Sequence, residues 1–195
     1  MSSELSTTAA RIVAAARALL EAPEPAGLRM SDIAAAAGVS RQAVYLHFRS
    51  RAELLIAVTH AIDRDLGLDA RLAESRAATT GEERLSAWVR FWGDYLPDIS
   101  TAAAALLRMQ ETDPEAAAAW GDRMAAMRSG CAAAVAMLAA EGRLAPQWSP
   151  EVATDLLWAL LSFETWERLT RDCGWSREAY VGNMTQAARA LLLAG

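Results

Sequence analysis

The segment from Ser31 to Ser50 constrains the fold of this 195-residue chain more than any other. It reads as two short helices joined by a tight turn. Ile33 and Ala37 share a helical face, and Ala34 is small enough for a second helix to cross above it. Gly38 tolerates a positive φ and so ends the first helix, with Val39 filling the corner. Ser40 then caps a second helix running to about Phe48, with Val44 and Phe48 facing inward. Arg41, Gln42, Tyr45 and His47 are left on the outer face or its edges. A helix with an apolar back and long polar donors outward is what a DNA major groove admits. The segment predicts a helix-turn-helix.

Its polar residues divide by chemistry. The Gln42 amide suits bidentate pairing with adenine, and Arg41 suits guanine. Tyr45 and His47 read as phosphate contacts, although both residue types also serve as half-buried packers. Ser31 and Ser40 stand at helix starts, where hydroxyl and backbone N–H groups meet phosphate. Arg49 and Arg51 add positive charge close by. The net charge of −5 conceals an uneven distribution. Residues 1–52 hold six arginines against four acids, a surplus of two, so the remainder carries −7. A basic head on an acidic body suits DNA binding at one end.

The rest of the chain reads as helix throughout. Ser6 to Thr8 opens a helix to Leu20, which Pro23 and Pro25 end. Ser50 and Glu53 form a capping box for a connecting helix over residues 51–72, followed by a loop from Ser75 to Gly81. A helix then runs to Leu96 before Pro97, and another from Ser100 to Gln110. Asp113-Pro114-Glu115 starts a long helix to Glu141, and Ser149-Pro150-Glu151 starts one to Arg171. Ser176 caps the last. The expectation is an all-α fold of nine helices, with a DNA-binding head at 1–50 and a ligand-binding and dimerisation body at 73–195. No apolar run of about 18 residues indicates a membrane span. The opening residues carry neither a basic nor an apolar stretch, so export is not expected. Cys131 and Cys173 read as reduced thiols of a cytoplasmic protein, with no metal and no cofactor expected.

Asp32-Ile-Ala-x-x-Ala-Gly-Val-Ser40, then Val44-Tyr-x-His-Phe48, Ser50-Arg51 and Glu53-Leu-Leu55, resemble the N-terminal domain of TetR-family transcriptional regulators. The resemblance spans residues 28–58. Arg29 stands where the family often has Thr, and Arg51 where Lys is usual. The resemblance implies a homodimer that binds an operator with two half-sites. It also implies a ligand cavity in the body and, most often, repression released by a small effector.

The body residues fit that expectation without deciding it. Trp88, Trp92 and Tyr95, then Trp120, Met124 and Met127, then Trp158, Thr165 and Trp166, form aromatic and methionine-rich faces. Seven Trp are more than threefold the average usage of about 1%. Such faces line adaptable apolar cavities, and they equally fill ordinary cores. Leu157, Leu160 and Leu161 with Met184, Ala188 and Leu191 give two apolar helices, expected to form a four-helix seam between two copies. An enzyme is not expected. His47 and His60 make no Glu-x-x-His pair, and there is no phosphate-binding glycine loop or nucleophile elbow. The alternatives are a helical interaction protein and a DNA-binding regulator without a ligand pocket.

Overall fold

The computed structural model describes residues 6–22 and 28–194. Among the described residues the elements are helical, apart from an isolated bridge between Leu144 and Leu193. The expected stop at Pro23 and Pro25 lies outside the described residues. Two compact units form, and they do not follow chain order. Met1–Leu66 groups with Ile99–Arg123, and Gly67–Asp98 groups with Met124–Gly195. The sequence reading kept residues 73–195 together, whereas packing joins 99–123 to the first unit.

The first unit opens with α1 (Thr7–Leu20), α2 (Met30–Ala37), α3 (Arg41–His47) and α4 (Arg51–Asp65). Serine hydroxyls start three of the four. Ser6 Oγ accepts from Ala9 N at 3.2 Å, Ser40 Oγ from Ala43 N at 3.1 Å, and Ser50 Oγ from Glu53 N at 3.1 Å. Each such cap stabilises its helix by about 1 kcal/mol. Ile12, Ala16, Leu20, Ile33, Val44, Leu54 and Leu55 have no exposed surface. They form the floor against which the helix-turn-helix rests.

Several helix boundaries differ from the periodicity. α4 ends at Asp65, because Gly67 turns left-handed at φ 67°. The stretch read as helix to residue 72 and then loop becomes two short helices, α5 (Leu68–Arg71) and α6 (Ala73–Ala77). Pro97 does not break the next element: α7 spans Gly81–Met109 with Pro97 inside it and exposed to solvent. α8 follows over Pro114–Ala140.

The second unit closes with α9 (Pro150–Leu160), α10 (Phe163–Glu167), a π-helical turn over Arg168–Asp172, and α11 (Arg177–Leu192). The helix expected from Ser149 to Arg171 breaks at Ser162. Its hydroxyl oxygen accepts from Thr165 N at 3.2 Å, and the Thr165 hydroxyl donates to Ala159 O at 3.2 Å. Ser and Thr side chains that compete for backbone partners in this way interrupt a helix. Trp88, Met127, Cys131, Leu157, Leu161, Phe163 and Tyr180 are buried in this unit. α7 and α8 approach closely at Gly130, where a Cβ would lie 1.9 Å from Trp88 Cη2.

Candidate nucleic-acid interface

The turn between α2 and α3 is built as the sequence demands. Gly38 sits at φ 63°, its N–H donates to Ala35 O at 3.1 Å, and Val39 N–H donates to Ala34 O at 3.0 Å. This bond pair is the Schellman motif that closes a helix on a left-handed residue. Arg11 reaches over from α1, and its Nη2 donates to Ala37 O at 2.7 Å. A guanidinium on the last carbonyls of α2 also complements the helix dipole. Val44 and Phe48, 0% and 4% exposed, then hold the inner side of α3.

With its back fixed, α3 presents Arg41, Gln42, Tyr45, Leu46 and His47 to solvent. The Arg41 guanidinium lies over the Tyr45 ring, 5.6 Å from the centroid. That stacking aligns the cation with the ring face and limits its sweep. An open concavity of about 480 Å³ beside the helix is lined by Arg29, Ser31, Arg41, Tyr45, Arg49, Ser50 and Arg51, with Met30 and Glu115. Arg29, Arg41 and Arg49 are exposed, and among the described residues no carboxylate forms an ion pair with them. Ser31 falls in the first turn of α2, exposed, its hydroxyl 3.3 Å from Asp32 Oδ1. Ser40 is the N-cap of α3, so its side-chain oxygen is already engaged by Ala43 N.

Arg51 departs from the expectation of a phosphate contact. Its Nε donates to Glu115 Oε2 at 3.1 Å, its Nη2 pairs with Asp113, and its Nη1 donates to Leu28 O at 3.3 Å. The guanidinium is tied within its own unit. Glu115 also accepts from the backbone N–H groups of Arg51 and Ala52, at 3.0 and 3.3 Å. Two residues absent from the sequence-based set join the site, Arg29 in the concavity and Leu46 on the outer face, 80% exposed. Helical spacing from Gln42 marks Leu46. Arg29 was marked only by standing where the resembled family often has Thr.

In the second unit Trp88, Phe91, Trp92 and Tyr95 form a continuous cluster along α7, with ring centroids 5.2–6.0 Å apart. Trp88 Nε1 donates to Cys131 Sγ at 3.3 Å, and burial pushes that thiol up to about 12. Met127 is buried and Met124 half-buried. Trp166 packs on Phe163 at 5.5 Å, while the Thr165 hydroxyl serves the helix break. Trp120 is buried but belongs to the first unit. Trp92 Nε1, Trp158 Nε1 and Tyr180 OH are buried without a protein partner. Of the residues expected at a dimer seam, Leu157, Leu161, Met184 and Ala188 are at most 3% exposed. Their side chains fill the core of their own chain, which leaves only Leu160 and Leu191 half-exposed.

Residues 12–58 match the model of the bacterial regulatory proteins of the tetR family. A Rhodococcus sp. protein described as a TetR-family transcriptional regulator superposes with a TM-score of 0.72 at 22% identity, covering 96% of this chain and 100% of its own. A transcriptional regulator from Saccharomonospora viridis in complex with choline gives 0.72 at 18% identity, covering 98% and 100%. The FadR regulator from Bacillus subtilis in complex with stearoyl-CoA gives 0.71 at 14%, covering 93% and 98%. A search of curated proteins returned no match. Among the described residues no helix is long and apolar enough to cross a membrane. Residues 12–58 thus carry a module similar to the bacterial regulatory proteins of the tetR family, and the chain shares its fold with these transcriptional regulators.

Proposed function

We propose that this chain is a TetR-family transcriptional regulator, a cytoplasmic homodimeric repressor released from an operator of two half-sites by a small apolar or amphipathic ligand. The observation that carries the DNA reading is the outer face of α3 with its flanking cations. On this reading Gln42 and Arg41, both exposed, address base edges, while Tyr45, His47, Ser31, Arg29 and Arg49 hold phosphates. Arg51 positions the start of α4 instead. The chain is assigned no catalytic role.

The ligand reading is supported by the three orphaned donors in the second unit. A buried N–H or O–H without an acceptor costs about 1–3 kcal/mol. A molecule with an apolar body and carbonyl, ether or carboxylate oxygens matches them, beside the aromatic row of α7. The complexes of structural relatives with choline and with stearoyl-CoA lend further support. The tight seating of Trp88 on Gly130 and Cys131 favours a second reading, a solid body and a regulator without an effector. For dimerisation the apolar surface left on α9 and α11 includes Val152, 43% exposed, with Leu156, Leu160 and Leu191.

Selection from a random duplex pool tests the whole reading. Wild type should enrich two half-sites spaced about 34–36 Å, or a multiple, apart. Gln42→Ala should change the preference at one position per half-site, at a cost of about 1–3 kcal/mol. Leu160→Asp with Leu191→Asp should give monomers by light scattering. A monomeric wild type that enriches no sequence refutes the proposal.

A further inference from the structure

The most exposed large apolar side chain among the described residues is Leu46, at 80%, on the helix assigned to the major groove. Its neighbours on α3 explain why that position matters. Leu46 lies four residues after Gln42, on the same helical face and about 6 Å further along the axis. Arg41 and Tyr45 flank that face and stack on each other. Val44 and Phe48 hold the opposite side in the core, so the helix cannot roll to hide Leu46. An isobutyl group held in water by a rigid helix gains when it meets an apolar partner. In the major groove that partner is the C5-methyl group of thymine, the one apolar feature on a base edge there.

We propose that Leu46 is a specificity-determining residue that contacts a thymine methyl within about two base-pair steps of the base addressed by Gln42. The proposal rests on the DNA reading above and sharpens it to a single atom of the operator. The surrounding cations favour DNA over an apolar protein partner. Arg29, Arg41 and Arg49 line the concavity on the Tyr45 side of the same helix, and a polyanion neutralises them where a protein surface leaves them desolvated. Gln42 and Arg41 read their own base edges, and Leu46 adds discrimination between thymine and every base lacking the methyl.

The test removes the methyl alone. A duplex selected from a random pool by wild type is resynthesised with each thymine replaced in turn by deoxyuridine, which keeps every hydrogen-bonding group. Wild type should lose about fourfold in affinity at one thymine per half-site, the worth of one buried methyl-sized group. Leu46→Ala should bind the thymine duplex more weakly by a similar factor and no longer distinguish thymine from deoxyuridine at that position. Because Leu46 is exposed, this variant should melt with wild type, so the loss is read as recognition. A Leu46→Ala protein that still discriminates thymine from deoxyuridine, or a wild type indifferent to every replacement, overturns the assignment and leaves the DNA reading intact. A pool from which wild type enriches nothing overturns both.

Discussion

Aromatic side chains occur on α3 and on α7, but their surroundings are opposite. On α3, Tyr45 is 42% exposed and stacks with an arginine that has no carboxylate partner among the described residues. On α7, Trp88 is 7% exposed, donates to a buried thiol, and abuts a glycine with its benzo ring. The first set contributes little to stability and is held by what lies beneath it. The second set is itself the packing. A binding surface is thus recognised by groups whose chemistry the chain leaves unanswered, and a core by groups already answered. The indole N–H groups of Trp92 and Trp158 and the Tyr180 hydroxyl are the exception, being buried like the core yet unanswered like the surface.

Substitutions along α7 test that contrast with the largest effect. Trp88→Ala should cost about 3–5 kcal/mol in denaturant unfolding, because it opens a cavity beside Gly130 and strands the Cys131 thiol. Trp92→Ala, at a half-buried site whose indole N–H has no partner, should cost about half as much. Equal losses at both positions would place Trp92 in the solid core with Trp88.

Two arginines two residues apart give the next largest difference. Arg51→Ala removes the partner of Asp113 and Glu115 and should lower stability by about 2 kcal/mol, with the exposure of Glu115 moderating the loss. Arg49→Ala should leave stability within about 0.5 kcal/mol of wild type and weaken binding to all duplexes alike, with a shallower salt dependence. If Arg51→Ala proves stable and defective only in DNA binding, its role at the α4 start is wrong.

The smallest effect concerns pH. Burial raises the Cys131 thiol from 9.0 to about 12, so the folded state keeps its proton where the unfolded chain loses it. The stability linked to this group is full below pH 9 and is lost as pH rises toward 12. Cys131→Ala should flatten that alkaline slope in urea titrations, and an unchanged slope would show that the thiol titrates normally.

The head was more legible in the sequence than the body, for a physical reason. Gly38, Ser40 and Ser50 act on amides within five residues, so their spacing alone announces the turn and the caps. The bonds of Arg51 run to residues 62 and 64 positions away, and no local pattern encodes them. In the body the apolar residues of α9 and α11 signalled burial correctly but not against what. Leu157 and Met184 turned out to serve their own chain. Ser162 was invisible as a break because its effect depends on Thr165 turning its hydroxyl back to Ala159.

Glu115 carries a consequence for how the reading head is held. Its carboxylate covers the first amides of α4, while Asp113, two residues earlier, covers those of α8. Only Phe48, Arg49 and Ser50 separate α3 from α4. The angle of the recognition helix is therefore referenced to the first turn of α8, like a hinge whose pin is fixed in another leaf. A displacement of that turn is thus passed to the start of α4 through two amides and a guanidinium at once.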